Sequence, residues 1–572
     1  MQVFSRLSVN ETNMLRFNTN TPENNRQRHL SSIRPFKNNL FTDEKLIFFA
    51  VAFLQLIPYF LISFIPSMDG PQHLHNAMVL NQLLAGNEVF QQYYQLNPVL
   101  VGYWTGHFLL TLFHAFLPAM LAEKMLVSVY LLGLAFSFRY LVTAINPKPN
   151  FLTLLIFPFS YSFYFLMGYY TFSLAFIFVF LTFGYYYRHR ALLTLKHAAV
   201  LFALISLVFL SHGFVFSFFG LALVVFVGLE VIYDALAGMN RQTLLKVHGK
   251  RILILLLVSL PASVMFVLYI RSAIQTDDSL IVGNYDITEL VNFMVIMRAF
   301  VGYHMKKEAY SNYFYWIAIF LTMQYVVYRF LLSIQEQKKD WKMFGRRFLA
   351  PSHRIAWIAL MFLVIYFVIP DQISAGDLVN RIAVFFFLFL AVWVASRNIP
   401  RRFSMVLMIV VLVFFGLQTH YRMRTLYRLA EFTRDVHTLE QYLTPNSVVY
   451  PVRFSSHWVD LHFLNYLGVD KPLINLGNPQ CQGHFPIVWN HGQMPGLQIG
   501  DLDVTDEYGR NRWRLENQEI KQADYIAVYR YNEFQETDQL QHIKEILHNH
   551  YQLIAVSPKG FAAVYGLKAN QE

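Results

Sequence analysis

The stretch LIFFAVAFLQLIPYFLISFIPSMDGPQHLHNA, residues 46–77, decides the fold. Its first 21 residues, 46–66, carry no charge, and a bilayer core requires roughly 20 apolar residues of helix. An acid, Asp69, follows directly, and His73, His75 and Asn76 come within the next seven residues. The sequence therefore predicts a membrane span that ends in a polar segment at the membrane boundary.

The composition of the whole chain agrees with a membrane protein. Of the 572 residues, 55% are hydrophobic and 14% are charged, whereas soluble globular chains usually carry about a quarter charged residues. Lys and Arg lie mostly in short loops between apolar runs, whereas a nucleic-acid-binding protein clusters them on one domain. We therefore expect membrane lipids as partners and no nucleic acid. The single cysteine, Cys481, excludes an intrachain disulfide.

Apolar runs of spanning length recur along the first 420 residues and predict about eleven transmembrane helices. The predicted spans are 46–66, 123–144, 150–167, 169–187, 198–214, 216–236, 252–270, 312–332, 355–369, 382–396 and 403–420. One further apolar stretch, 103–121, is ambiguous, because it contains Trp104, His107 and His114. Such side chains suit an interfacial amphipathic helix better than a lipid-exposed span.

The distribution of Lys and Arg decides where 103–121 lies. If it lies at the outer interface, 26 Lys/Arg fall in inside loops and 5 in outside loops; if it spans, the counts are 12 and 19. Because Lys/Arg in short loops mark the cytoplasmic side, the interfacial placement is favoured. The polar arm 1–45 is then cytoplasmic and expected to lack ordered structure, and residues 421–572 lie outside.

The tail 421–572 differs from the preceding part of the chain in charge and in pattern. It carries 14 Lys/Arg against 17 Asp/Glu, compared with 32 against 18 before it. An amphipathic helix at 424–443, strands at 447–454, 472–476 and 523–531, helices at 457–467 and 537–550, and a hairpin over 551–567 are predicted. The tail therefore reads as a small soluble α/β domain.

Three outer loops carry the candidate site residues. Loop 67–122 contains Asp69, His73 and His75, and loop 370–381 ends in Arg381. The loop 271–311 supplies Asp277, Asp278, Arg298, Lys306 and Lys307. Each has a purely structural alternative: Asp69 as a helix cap, Arg381 as an interfacial anchor, and the two lysines as headgroup contacts. His212, near the outer end of a span, is expected to be a packing residue.

The polar segments resemble one family. The string Asp69-Gly70-Pro71-Gln72-His73-Leu74-His75-Asn76-Ala77 looks like the first-loop signature of bacterial GT-C membrane glycosyltransferases. The strings Ala122-Glu123-Lys124 and Gly168-Tyr169-Tyr170-Thr171-Phe172-Ser173 look like further parts of that pattern. The resemblance implies a GT-C-like helical module over 46–420 followed by an outer-face C-terminal domain, in the inner membrane of a bacterium.

The resemblance also implies roles for single residues. Asp69 matches the acid that deprotonates or orients an acceptor hydroxyl, with His73 beside it. The donor would be a sugar on a polyprenyl phosphate or diphosphate, and the acceptor a glycan, a lipid or a protein. Arg381, His75, Arg298, Lys306 and Lys307 would bind substrate, since a leaving lipid phosphate needs cations.

Metal dependence stays open at the level of sequence. Metal-dependent relatives place a second acid between the third and fourth spans, and the corresponding loop here, MGYYTFS, has none. Asp277 with Asp278, or His73 with His75, are the alternative ligands for a divalent metal. No other cofactor is indicated, because glycine-rich nucleotide loops, HExxH and CxxC strings are absent from the sequence.

Two other functions remain alternatives. A transporter or flippase for lipid-linked glycans would place ionisable residues at mid-membrane, whereas the predicted spans are nearly free of charge. A polysaccharide polymerase or ligase would share the lipid carrier but not the early Asp69 segment.

The charge distribution yields a topological prediction. A reporter fused after residue 570 should be active outside the membrane, and one fused near Arg190 should be active inside, because loops rich in Lys and Arg stay cytoplasmic. Alkaline phosphatase and fluorescent-protein fusions measure both positions. A cytoplasmic tail would contradict the predicted orientation and place 103–121 across the bilayer.

Overall fold

The computed structural model describes a mostly helical chain with a small sheet near its C-terminus. The described residues are 43–276, 285–335, 345–346, 348–370, 377–455, 457–481, 483, 485–490, 498–499, 502–503, 523–536 and 541–568. The arm 1–42, Asp277 and Asp278 lie outside them, so the predictions made for these residues remain predictions.

The first part of the chain builds helices and one short strand. They are α1 (Glu44–Leu54), α2 (Ile57–Phe60), α3 (Gly70–Leu84), α4 (Glu88–Tyr93), β1 (Tyr94–Leu96), α5 (Trp104–His114), α6 (Ala119–Ile145), α7 (Ile156–Phe159), α8 (Phe163–Leu166) and α9 (Tyr170–His189). A 3-10 turn, Phe151–Leu155, precedes α7.

Longer helices follow. They are α10 (Leu195–Ser211), α11 (Gly213–Leu236), α12 (Arg241–Thr276), α13 (Ile287–Val295), α14 (Met305–Gln335), α15 (Arg354–Val368), α16 (Leu378–Ala395) and α17 (Arg401–His437). Seven helices in the described part of the chain (α6, α9, α11, α12, α14, α16 and α17) are long and apolar enough to cross a membrane. Two shorter apolar helices, α10 and α15, accompany them. The chain is thus a multi-pass membrane protein.

Two of the predicted spans are not continuous helices. The segment 46–66 is divided into α1 and α2, and 150–167 into a 3-10 turn, α7 and α8. Pro58 and Pro158 lack the N–H that would bond to the carbonyl four residues earlier, so each weakens the helix around it. At Ser162 a new helix begins, because its hydroxyl accepts the N–H of Phe165. The count of about eleven spans remains a prediction.

The ambiguous stretch 103–121 is not one helix. Its helix, α5, has 11 residues and is about 16 Å long, too short for a bilayer core of about 30 Å. The chain then turns at Pro118, which precedes the first residue of α6. This geometry agrees with the predicted placement outside the hydrophobic core, while the orientation of the termini stays a prediction.

Close helix packing fixes the arrangement of α6 and α9. A Cβ added at Gly184 would lie 2.6 Å from a ring carbon of Tyr140, and one at Gly133 would lie 2.6 Å from Ile177. Small residues allow such close approach between apolar helices. Helix α16 lies at the centre of the bundle, since all 18 of its residues are buried.

The tail contains the strands β2 (Val448–Arg453), β3 (Ile474–Asn475), β4 (Ile487–Trp489), β5 (Gln498–Ile499), β6 (Leu502–Asp503) and β7 (Tyr525–Tyr529), then α18 (Tyr531–Glu536), α19 (Gln541–His550), β8 (Tyr551–Val556) and β9 (Ala562–Leu567). Five strands form one sheet in the order β3-β2-β7-β9-β8, with β2 parallel to β3 and β7 and the β8–β9 hairpin antiparallel. The predicted strands and terminal hairpin are thus present. The predicted helix 457–467 is instead two 3-10 turns, Trp458–Asp460 and Phe463–Tyr466.

The tail shares its core with the loop 67–122. Strand β1 of the loop pairs antiparallel with β4 of the tail, and Tyr94 stacks on the fully buried Trp489 at 4.6 Å between ring centroids. Met78 and Phe90 of the loop belong to the same apolar cluster as Ile474 of the tail. In addition, α17 runs unbroken through the predicted boundary at residues 420–421. The independent folding of 421–572 therefore stays a prediction.

Candidate functional site

A backbone contact between two loops positions Asp69. The backbone N–H of Asp69 donates to the carbonyl of Met167 at 2.9 Å, just before Gly168. Gly168 has φ +91°, and a Cβ there would lie 2.5 Å from the backbone nitrogen of Gly70. Glycine is therefore required at position 168 for both its conformation and its lack of a side chain.

Hydrogen bonds among neighbouring buried polar groups stabilise this contact. The Ser67 hydroxyl accepts the N–H of Gly70 at 3.1 Å. The carboxylate of Glu123 accepts the N–H of Ile65 at 3.0 Å and the hydroxyl hydrogen of Tyr170 at 2.7 Å. Glu123 is completely buried and belongs to α6, so it ties the end of the predicted first span to α6 and α9.

Asp69 stands at the N-terminus of α3 without capping it. Its side chain makes no capping hydrogen bond, which argues against the structural alternative raised for this residue. The carboxylate lies 4.0 Å from His462 Nε2, and Gln480 and Arg381 are close enough to lower its pKa. Burial outweighs both and raises the pKa of Asp69 to about 7. A carboxyl group with this pKa gains and loses a proton near neutral pH.

Arg381 lies in the first turn of the central helix α16. Its side chain is buried, and the rings of Tyr164, Tyr169, Phe172 and Phe214 lie 5.4 to 6.0 Å from the guanidinium carbon. Such cation–π contacts stabilise a desolvated guanidinium. A snorkelling anchor would have its charged end in water, so this burial argues against the anchor alternative.

The donors of Arg381 are not all used. Its Nε has no hydrogen-bond partner, and within the described residues no ion pair joins Arg381 to Asp69 or to another carboxylate. Asp377 contributes a favourable charge nearby, but its own side chain accepts the hydroxyl hydrogen of Tyr164 at 2.9 Å. Arg381 is thus a buried cation with donor capacity left for an anion.

His73 is paired with a histidine that sequence reasoning did not place in the site. His73 Nδ1 lies 3.3 Å from His107 Nε2, and His107 Nδ1 bonds the carbonyl of Tyr103 at 2.8 Å. Burial lowers the pKa of His107 to about 4, and burial with the neighbouring His107 lowers that of His73. Both rings are therefore neutral at pH 7, and His107 fixes the orientation of His73.

His75 faces the tail. Its Nε2 bonds the carbonyl of Leu473 at 3.0 Å, and its ring lies against Gly468. Asn76 beside it donates to Gln480 at 2.9 Å and accepts from Asn478 at 2.6 Å. These contacts place His75 and Asn76 at the boundary between the loop and the tail. The buried Nδ1 of His75 has no hydrogen-bond partner, and the substrate-binding role of His75 stays a prediction.

The three loop cations lie apart from these contacts. Arg298 packs over the ring of Phe293, and Lys306 and Lys307 are exposed, with Lys307 over the ring of Tyr421. Their neighbour Glu308, by contrast, is buried. It forms an ion pair with Arg422 at 2.7 Å and accepts hydrogen bonds from three backbone N–H groups. No contact joins Arg298, Lys306 or Lys307 to Asp69 among the described residues.

Several residues near Asp69 and Arg381 were not predicted as site residues. His462 and Gln480 come from the tail, and His212 stacks edge-on against Phe172. The buried Nδ1 of His212 has no hydrogen-bond partner. Buried polar atoms normally have one, so this atom has capacity for a ligand. The sequence offered one signal, the polar string Ser211-His212-Gly213 within an apolar region.

The two histidines predicted as alternative metal ligands, His73 and His75, do not converge. His73 bonds His107 whereas His75 bonds the tail, and Asp277 and Asp278 lie outside the described residues. Among the residues that the structure describes, one group of three potential ligands lies close together: His437, Glu440 and Asp470. It shares no residue with the arrangement around Asp69.

Comparisons with known proteins add little to this description. No model of a known protein family matches the sequence, and no curated relative does. The crystal structure of ArnT from Cupriavidus metallidurans in the apo state is similar over 91% of this chain and 97% of that chain, at 11% identity and a TM-score of 0.44. A likeness at this level establishes no family membership and does not support a function.

The raised pKa of Asp69 makes stability depend on pH. The folded protein keeps the Asp69 proton up to about pH 7, whereas an unfolded chain loses it near 3.8, so this residue makes the fold less stable as pH rises between these values. Asp69→Asn removes the effect, and its melting temperature relative to wild type should increase from pH 5 to pH 8. Thermal unfolding in detergent at several pH values measures this difference, and a constant difference would contradict the raised pKa.

Proposed function

We propose that this chain is a membrane glycosyltransferase that moves a sugar from a polyprenyl phosphate or diphosphate donor to an acceptor hydroxyl at the outer membrane face. One observation carries the proposal. The partly exposed carboxyl of Asp69 and the buried guanidinium of Arg381 carry opposite charges, and Arg381 lowers the pKa of Asp69, but no ion pair joins them. The ring of Tyr169 lies 5.4 Å from the guanidinium carbon of Arg381, and Tyr169 directly follows Gly168, which lies against the backbone of Asp69 and Gly70.

This separation suits group transfer from a lipid phosphate. Two opposite charges inside a protein stabilise each other most when they are in direct contact. When they are held apart, each can still interact with a group of opposite charge on a bound ligand. Arg381 would bind the phosphate of the donor, with His212 and the surrounding aromatic rings excluding water. Asp69, with His73 beside it, would face the acceptor hydroxyl.

The chemical step follows from these positions. The acceptor hydroxyl gives its proton to Asp69 while its oxygen bonds to the anomeric carbon of the sugar. The bond between that carbon and the phosphate oxygen breaks, and the lipid phosphate leaves with the electron pair. A base with a pKa near 7 is suited to this proton transfer at neutral pH, and Arg381 would offset the charge that develops on the phosphate.

The remaining predicted site residues have subordinate places in the proposal. Arg298 lies in the 3-10 turn Arg298–Phe300, and Lys306 and Lys307 lie in the first turn of α14. They would attract the anionic donor to the membrane surface. His75 would bind substrate through its buried Nδ1, which has no hydrogen-bond partner. A divalent metal at Asp69 stays open and has no role in the step above.

The transporter alternative is less well supported. Transport pathways usually expose ionisable residues within the membrane part of a protein. Here the buried acids of the described apolar helices all have partners: Glu123 with Tyr170, Glu230 with Arg190 and Arg354, Glu308 with Arg422, and Asp435 with Ser557. A polymerase or ligase using the same carrier would share the Arg381 contact and differ in the acceptor.

Asp69→Asn tests the proposed base. The variant keeps the size of the side chain, and because Asp69 makes no capping bond, it should fold at least as well as wild type. Loss of general-base help should lower the transfer rate by about 10²- to 10⁴-fold. Transfer from a radiolabelled polyprenyl-phosphate sugar in proteoliposomes measures it, with Glu431→Gln, an exposed carboxylate, as the matched control. The hypothesis is falsified if Asp69→Asn works within a few-fold of wild type.

Arg381→Ala tests the proposed phosphate contact. Charge-assisted hydrogen bonds contribute about 1.5–3 kcal/mol, so kcat/KM for the donor should fall roughly 10- to 100-fold. Lysine at this position should restore activity only in part, because it lacks the planar guanidinium. Arg424→Ala, which removes an exposed arginine of α17, serves as the matched control. Unchanged donor kinetics in Arg381→Ala would leave this residue a packing role alone.

A further inference from the structure

Three potential metal ligands, two of them three residues apart in the chain, meet where the first outer loop and the tail adjoin the end of α17. His437 ends α17, Glu440 lies in the 3-10 turn Thr438–Tyr442, and Asp470 lies in the turn before β3. His437 Nε2 is 3.2 Å from Glu440 Oε2 and 3.2 Å from Asp470 Oδ2. One donor atom of each residue lies within 4.8 Å of the others.

In each carboxylate, the oxygen that faces away from His437 accepts hydrogen bonds from backbone N–H groups, which fix the position of the side chain. Glu440 Oε1 accepts the backbone N–H groups of Gly468, Asp470 and Lys471 at 2.8, 3.2 and 3.0 Å. Asp470 Oδ1 accepts the N–H of Ala119 at 2.7 Å. The second oxygen of each carboxylate is therefore fixed in direction toward His437. Hydrogen bonds of this kind orient carboxylates that ligate metals.

The imidazole nitrogen in the centre lacks a hydrogen bond. His437 Nε2 is inaccessible to solvent and has no partner of acceptable hydrogen-bond geometry, although two carboxylate oxygens lie 3.2 Å away. With ligand bonds of about 2.0–2.2 Å, the edge of a tetrahedral zinc site is about 3.3–3.5 Å, close to both separations.

We propose that His437, Glu440 and Asp470 form a binding site for one divalent cation, with zinc as the best match. Imidazole with carboxylates suits zinc, whereas magnesium prefers an all-oxygen octahedron. Three protein ligands leave a fourth position for water, and the partial exposure of Asp470 provides access. His114 Nε2, 3.9 Å from Asp470 Oδ1, lies at the edge of the site.

The site would serve to join three parts of the protein. His437 belongs to the long helix α17, Asp470 belongs to the tail, and Asp470 in turn bonds Ala119 at the start of α6. A bound ion would hold the tail and the first outer loop against the membrane helices. This inference does not depend on the proposed glycosyltransferase activity, since no ligand of the ion belongs to the arrangement around Asp69.

The competing structure is a protonated His437 that forms ion pairs with both carboxylates. That structure binds no metal, and its contribution to stability is insensitive to chelators. The two structures are therefore separated by metal content and by the effect of chelation rather than by the loss of stability in a variant alone.

The full-length protein in detergent, stripped with a chelator and dialysed, is titrated with zinc chloride. We expect one equivalent of zinc by elemental analysis and a melting temperature that rises with zinc and falls again with chelator. His437→Gln and Asp470→Asn should each weaken zinc binding at least 10-fold, and Asp470→Asn can keep the bond to Ala119. His548→Gln, an exposed histidine of α19, should bind zinc like wild type.

Two results would overturn the proposal. One is a stripped wild-type protein that binds no zinc and whose melting temperature does not respond to it. The other is equal zinc binding by wild type, His437→Gln and Asp470→Asn, which would place the zinc elsewhere. Since Asp470→Asn keeps the fold contacts of the carboxyl group, a folding failure of His437→Gln alone does not prevent the test.

Discussion

The close backbone contact between Gly168 and the Asp69–Gly70 turn is the constraint on which the site depends. It joins the end of the predicted first span to the loop that precedes α9, and a side chain at position 168 would collide with the backbone. Tyr169 follows directly, and its ring lies against Arg381. One glycine contact therefore sets the relation between Asp69, Tyr169 and Arg381. Tertiary contacts through a backbone position of this kind cannot be replaced by repacking side chains.

The buried charges of the helices show how the rest of the bundle is stabilised. Glu230 pairs with Arg190 and Arg354, and Glu308 with Arg422, each at 2.6 to 2.9 Å. Desolvating a charge costs several kcal/mol, and a close partner with further hydrogen bonds is needed to offset it. Asp69 and Arg381 differ from these pairs because no ion pair joins them. This difference separates a structural charge from one with remaining capacity for a ligand.

The sequence predicted the elements with strong periodicity and the residues with unusual chemistry. The long apolar runs of α6, α9, α11 and α12 and the hairpin at 551–567 follow directly from hydropathy and turn residues. Asp69 and Arg381 were recognisable because charges are rare near the ends of apolar runs. The breaks within the segments 46–66 and 150–167 were not predicted. Hydropathy reports how apolar a segment is, and it does not register the N–H that is missing at Pro58 and Pro158. His107, His462 and Gln480 come near His73 or Asp69 only through tertiary contacts, which no local pattern predicts.

The role of the tail follows from where its residues lie. A tail that formed a separate domain after the last helix would have a hydrophobic core made of its own residues. Here the core of the tail also contains Met78, Phe90 and Tyr94 of the loop 67–122. The loop carrying Asp69 is thus packed against the membrane helices through Gly168 and against the tail through β1 and β4. The same loop–tail contact brings His462 and Gln480 to the carboxyl of Asp69, and Gln480 lowers its pKa against the effect of burial, so the tail acts on the protonation of Asp69. Changes in the tail would then act on Asp69 without touching the helices.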